Sequence, residues 1–191
     1  MKSIEISATL RNDFGKKGSQ AIRKTDSVPC VLYGQGENLH FAVTNDALRN
    51  LVYSPDIYLV NLDIEGKKVK AIMKDIQFHP VKDNILHIDF YQIDEAKPIV
   101  MEVPVALEGL AEGVKAGGKL TLQLRKVKVK ALFNNIPEKL VINVSSLGLG
   151  KTIQVGQLSF ENLELLTAKE AVVCAVKLTR VARGLAAAAS K

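Results

Sequence analysis

The chain has 191 residues, 47% of them hydrophobic and 24% charged. Its 26 basic and 20 acidic side chains leave a formal net charge of +6. Such a composition excludes a disordered tail and fits folded globular protein, either one large domain or two small ones.

Alternation with period two dominates the first half. Residues 3–10 (SIEISATL), 57–65 (IYLVNLDIE), 67–78 (KKVKAIMKDIQF) and 85–93 (ILHIDFYQI) each place apolar residues on one side of a strand. The second and third of these should form a hairpin turning at Glu65-Gly66. VPCVLYG, Val28 to Gly34, supplies a further strand ending in Tyr33, whose ring either closes the core or is presented at the surface; residue type alone favours the core. Helical signals are fewer. Thr44 followed by NDALRNLVY reads as an N-cap with Asp46 in the first turn. A shorter helix is expected from Ser19 to about Thr25, with Lys16 and Lys17 just ahead of its positive end.

Polar residues cluster at Asp94-Glu95-Ala96-Lys97-Pro98, which marks a domain boundary. The expected organisation is a domain over 1–94, a second β-rich domain over 95–182, and a low-complexity tail, RGLAAAASK, over 183–191. Strands are expected at 99–108, 119–132, 139–145 and 170–179, with Gly-rich loops between them. Pro104 suggests an edge strand or a bulge. In the stretch Arg125–Lys130, Lys126, Lys128 and Lys130 share one face, which is either simply solvated or turned to a neighbour.

Enzymatic signatures are missing. The histidines His40, His79 and His87 have no metal-ligand spacing, and G-x-S-x-G, H-E-x-x-H and P-loop motifs are absent. A barrel enzyme using His79, His87 and Asp89 is the weakest reading. Cys30 and Cys174 lie far apart in apolar stretches and are expected to be buried, reduced thiols of a cytosolic protein rather than a disulfide or zinc site. The N-terminus has no apolar core of signal-peptide length, and no run of about 20 apolar residues is long enough for a membrane span. A soluble, cytoplasmic protein follows.

Two segments carry more information. GKKGSQAIRK, Gly15 to Lys24, puts four cations and two glycines within ten residues, followed by a helix start. Backbone amides and cations there suit phosphate oxygens, and a solvated basic loop explains them equally well. In KDIQFHPVKDNILHIDF, Lys74 to Phe90, period two sets Lys74, Ile76 and Phe78 on one side and Asp75, Gln77 and His79 on the other. His87, Asp89 and Tyr91 then share a face opposite Ile88 and Phe90. That face of donors and acceptors suits the wide minor groove of RNA better than catalysis.

The ordered motifs R-(x)₃-GKKGS-(x)₃-R, VPCVLYG, KDIQFHPV and LHIDF are closely similar to those of the bacterial family of large-subunit ribosomal protein twenty-five, also called the Ctc general-stress family. VPVALEGLAEGVKAGGKL (103–120) and IPEKLVINVSSLGLGKTI (136–153) extend the resemblance to its two-domain form. The resemblance implies a mostly β (α+β) protein: an N-terminal six-stranded β-barrel with two short helices, then a second β-rich domain. It implies a non-enzymatic ribosomal constituent that binds an irregular internal loop of 5S ribosomal RNA from the minor-groove side, in the central protuberance. The other partners it implies are neighbouring large-subunit proteins; no cofactor, metal, membrane or small-molecule substrate is expected.

Carried over by position, Arg11, Lys16, Lys17, Ser19 and Arg23 match the family's backbone-contacting basic segment. Tyr33, Lys74, Gln77, His87 and Asp89 match its sheet-surface group, and His79 matches its Q-x-H-P turn. Many relatives carry two arginines directly after the Ser, where Gln20 and Ala21 stand here. Each phosphate left without its cation flattens the salt dependence of binding by roughly one unit; Lys17 and Lys24 are expected to compensate in part. The rival reading is an off-ribosome stress-response protein–protein adaptor. Charge is local in either case: residues 1–94 hold 12 Lys/Arg and 12 Asp/Glu, whereas residues 1–24 hold six basic and two acidic.

Overall fold

Six alternating strands close on themselves in the first half of the protein. The computed structural model describes residues 2–94, 96–180 and 182; the tail expected over 183–191 lies outside them. The protein is mostly β and divides into two compact units. One runs to Ile99 and includes Leu132–Asn134; the other comprises Val100–Ala131 and the chain from Asn135 onward.

The first unit contains β1 (Lys2–Leu10), α1 (Gly15–Lys24), β2 (Ser27–Tyr33), β3 (Leu39–Thr44), α2 (Asn45–Val52), β4 (Tyr58–Ile64), β5 (Lys67–Phe78) and β6 (Ile85–Gln92). Its strands form a closed barrel in the order β1-β3-β2-β6-β5-β4. β1 pairs with β4 in parallel and closes the ring, and β2 pairs with β6 in parallel. Closure leaves this sheet without an edge. Alternation sends Ile6, Val28, Cys30, Leu32, Phe41, Val43, Val60, Leu62, Ile88 and Phe90 into the interior, each no more than 3% exposed. Leu48 and Leu51 of α2 join the same cluster, so that helix buries one face against the barrel. Each such side chain contributes about 1.5–3 kcal/mol by leaving water.

The hairpin between β4 and β5 turns at Glu65 (φ 50°) and Gly66 (φ 91°). Positive φ at both central residues is the type I′ combination that matches strand twist, and Gly66 N–H donates to Asp63 Oδ1 at 2.9 Å.

Three local readings are corrected. α1 begins at Gly15, not Ser19, so Lys16 and Lys17 lie inside its first turn rather than ahead of it. Gly18 explains the early start: a Cβ there would sit 2.8 Å from the Asp13 carbonyl oxygen, so only glycine lets residues 11–14 fold back across the first turn. Thr44 is the N-cap of α2 with Asp46 in the first turn, as expected, although its side chain makes no capping bond. β3, which the sequence did not announce, pairs with both β1 and β2. In β5 the register shifts between Met73 and Asp75. That bulge sets Lys74 outside the ladder register and exposed, not on the inward side with Ile76.

The second unit holds β7 (Ile99–Glu108) from its second residue on, α3 (Glu112–Lys115), β8 (Lys119–Leu122), β9 (Lys126–Ala131), β10 (Leu140–Asn143), β11 (Thr152–Gln154), β12 (Glu164–Leu165) and β13 (Val172–Lys177). They form a four-stranded sheet, β10-β7-β9-β12, and a three-stranded one, β11-β13-β8. The single strand expected at 119–132 is therefore two strands in different sheets. Its apolar parity changes from Leu120, Leu122 and Leu124 to Val127, Val129 and Ala131, and one flat strand cannot keep both sets on one face. Pro104 lies in a central strand, not at an edge; pairing with β10 begins at Val105, directly after it. On β9, Lys128 approaches Glu102 at 3.8 Å and Lys130 approaches Glu164 at 3.2 Å, so the cationic face is partly neutralised within its own sheet. Cys30 and Cys174 are free and buried, one in each unit.

Candidate nucleic-acid interface

The outward parity of β2, β6 and β5 assembles the polar face. Across the β5–β6 ladder Gln77 opposes His87 and Asp75 opposes Asp89; across the parallel β2–β6 ladder Val31 opposes Asp89 and Tyr33 opposes Tyr91. Tyr33 thus falls on the outer face, correcting the core placement favoured from residue type. Its ring meets Tyr91 edge-on at 5.8 Å. Its hydroxyl is held above the ordinary value of 10.0, first by burial and then by the negative charges of Asp89 and Asp75, so it stays a donor at neutral pH.

His87 Nδ1 lies 2.8 Å from Asp89 Oδ1. A carboxylate can only accept, so Nδ1 carries the proton and, in the neutral ring, Nε2 is left as an acceptor. His79 is used differently. Its Nδ1 accepts from the backbone N–H groups of Val81 and Lys82, both at 3.2 Å, and its backbone N–H donates to Asn84 O. Those bonds build the β5–β6 turn.

Beside this face, α1 packs along β2 without burying a single residue. Arg23 ties it down: Nε and Nη2 donate to the Leu86 carbonyl of β6 at 3.1 and 2.9 Å. At the other end Arg11 Nη1 donates to Ser19 Oγ at 3.4 Å, and Arg11 N–H donates to His40 O. Lys16 and Lys17 are exposed in a first turn that contains no acidic residue. Cations at the positive end of a helix are unfavourable in isolation and become favourable beside an anion.

One group had no clear signal in the sequence. Phe14 is 61% exposed, with Arg11 over its ring at 6.0 Å and His40 edge-on at 5.0 Å. The hint was an aromatic residue directly preceding a basic, glycine-containing segment. Of the residues expected at the site, Tyr33, Gln77, His87 and Asp89 form one continuous patch. Arg11, Lys16, Lys17, Ser19 and Arg23 flank it on α1 and its approach, and Lys74 stands at the β5 bulge. Among the described residues, no group of three His, Cys, Asp or Glu side chains is placed to hold a metal, and no helix is long and apolar enough to cross a membrane.

A closed barrel that offers one outer face of hydrogen-bonding side chains flanked by a cationic helix is the architecture of a surface-binding structural protein. Residues 6–90 match the model of the Ribosomal L25p family, and residues 98–180 match that of the ribosomal protein TL5 C-terminal domain. Among curated relatives, the large ribosomal subunit protein bL25 of Bacteroides thetaiotaomicron is 74% identical over the full length of both chains. That of Bacteroides fragilis is 71% identical, again over both full lengths. The Porphyromonas gingivalis protein of the same name is 63% identical over 97% of this chain and 98% of its own. The chain belongs to the Ribosomal L25p family. It is accordingly a structural ribosomal protein of the cytoplasmic ribosome and not an enzyme.

Proposed function

We propose that the barrel binds 5S ribosomal RNA within the large subunit, at the central protuberance, gripping an irregular internal loop from its minor-groove side. The observation that carries this reading is the bidentate Arg23–Leu86 tether, which fixes a cationic helix beside the His87–Asp89–Gln77 face. Lys16, Lys17 and Arg11 supply backbone contacts that position the RNA. Tyr33, Gln77, His87 and Asp89 read exposed base edges and ribose hydroxyls, and Lys74 reaches the backbone from the bulge. Two carboxylates, Asp75 and Asp89, oppose each other on this face, and they repel phosphate. Contact there therefore goes to donors on bases and sugars, which makes the face selective rather than merely adhesive.

The test is a gel shift with 5S RNA against an unrelated RNA of equal length. Tighter binding to 5S RNA at physiological salt is expected. Equal binding to both, or binding to neither, overturns the reading and favours an adaptor that works on protein partners. Lys16→Ala should weaken both RNAs and lower the salt slope by about one unit.

A further inference from the structure

We propose that Phe14 is a stacking platform for an unpaired nucleobase of the bound RNA. The proposal rests on the RNA-binding reading above and adds a contact of a different kind: a π-face rather than a charge or a hydrogen bond.

The ring is unusually well supported for an exposed side chain. Arg11 stands over one face at 6.0 Å, and His40 meets the ring edge-on at 5.0 Å and 68°. Even so, the side chain stays 61% exposed. Both supports are anchored: Arg11 through its N–H to His40 O and its guanidinium to Ser19 Oγ, and His40 through β3. The backbone beneath is fixed as well, because Gly18 admits the Asp13 carbonyl against α1.

A ring held this way loses little freedom when a partner stacks on it. It also adjoins Lys16 and Lys17, which would hold the phosphates on either side of a splayed base. Arg11 Nε and His40 Nδ1 are buried without a hydrogen-bond partner in the free protein, so this corner is not internally complete. An aromatic face between cations is the arrangement that captures unstacked bases with little regard to their identity. The irregular internal loop proposed as the target is where such bases occur.

The sequence contains no tryptophan, so Phe14→Trp places a single reporter at the site. We expect Phe14→Trp to bind 5S RNA within about twofold of the unsubstituted protein, with its emission strongly quenched by the RNA. Phe14→Leu should weaken binding about tenfold or more while leaving the salt slope unchanged, because no phosphate contact is removed. If Phe14→Leu binds within twofold of the unsubstituted protein and Phe14→Trp emission does not respond, the stacking role is overturned while the RNA-binding reading stands. If the unsubstituted protein shows no preference for 5S RNA, that reading fails and the stacking role fails with it. Phe14 contributes nothing to the core, so both variants should fold; an unchanged thermal melt checks this.

Discussion

His87 and Asp89 stand two residues apart on the outer face of β6, with the imidazole Nδ1 2.8 Å from the carboxylate Oδ1. The pair sets the imidazole orientation and so decides which ring atom meets a ligand. His87→Ala and Asp89→Ala should each weaken 5S RNA binding about tenfold, the scale of one hydrogen bond to a charged group, and leave binding to unrelated RNA almost unchanged. Because the two side chains act as a unit, the double variant should lose less than the sum of the single losses. Strict additivity in a double-mutant cycle would show that each contacts RNA independently.

Gly18→Ala sets two effects against each other. Alanine gains about 1 kcal/mol of helix propensity over glycine. Its Cβ, however, would lie 2.8 Å from the Asp13 carbonyl oxygen and 3.0 Å from its carbon, and crowding against backbone costs about 1–3 kcal/mol. Crowding should win. The variant is expected to melt lower and to bind RNA several-fold more weakly as Phe14 and Lys16 shift. A higher melting temperature would mean that residues 11–14 move aside freely.

Arg23 should act as a positioning residue as well as a cation. Removing it with Arg23→Ala should lower hydrogen-exchange protection across residues 15–24 about tenfold, since α1 buries no side chain of its own. Arg23→Lys keeps the charge but not the planar fork that engages the Leu86 carbonyl through two nitrogens, and should restore little protection. Full restoration by lysine would reduce Arg23 to its charge.

His79 should be structural. His79→Ala leaves the Val81 and Lys82 amides without their acceptor and is expected to cost about 1 kcal/mol, as loss of a cap does. His79→Asn, whose side-chain oxygen can accept in the same turn, should recover part of it. RNA affinity and salt slope should stay within twofold throughout, as measured by titration at two ionic strengths.

Cys30 gives a pH signature. Burial, the largest cause, pushes its thiol from 9.0 up to about 12, against smaller opposing effects from a hydrogen bond with Ile88 and the Arg11 charge. The folded state therefore holds its proton where the unfolded chain releases it. This contribution to stability is complete below pH 9 and is lost as pH rises from 9 towards 12, at about 1 kcal/mol per pH unit. In denaturant titrations, Cys30→Ala should show a shallower alkaline loss than the unsubstituted protein. Equal losses would show that the thiol ionises inside the barrel.

Much of the fold was legible residue by residue. Strands β1, β4, β5 and β6, the Glu65-Gly66 turn, helix α2 and the shared face of His87 and Asp89 all follow from period two or from local capping and turn chemistry. β3 was not legible, because in LHFAVT the alternation is short and Thr44 reads as a helix cap. The start of α1 was hidden by Gly15 and Gly18, which are poor helix formers. Their reason lies in the backbone of residues 11–14. Lys74 was misplaced because one extra residue in a bulge reverses every later face assignment.

The net charge of +6 pointed to no site, since the barrel half of the chain is balanced at 12 against 12. What the sequence alone determined was the chemistry available: a local run of cations, a set of hydrogen-bonding residues at alternate positions, and the family motifs that contain them. What only tertiary structure decided was which of these meet. Barrel closure sets β2 beside β6, the Arg23–Leu86 bonds hold α1 against them, and Arg11 and His40 support Phe14. Most of these are contacts between residues far apart in the chain, and local periodicity carries no information about such contacts.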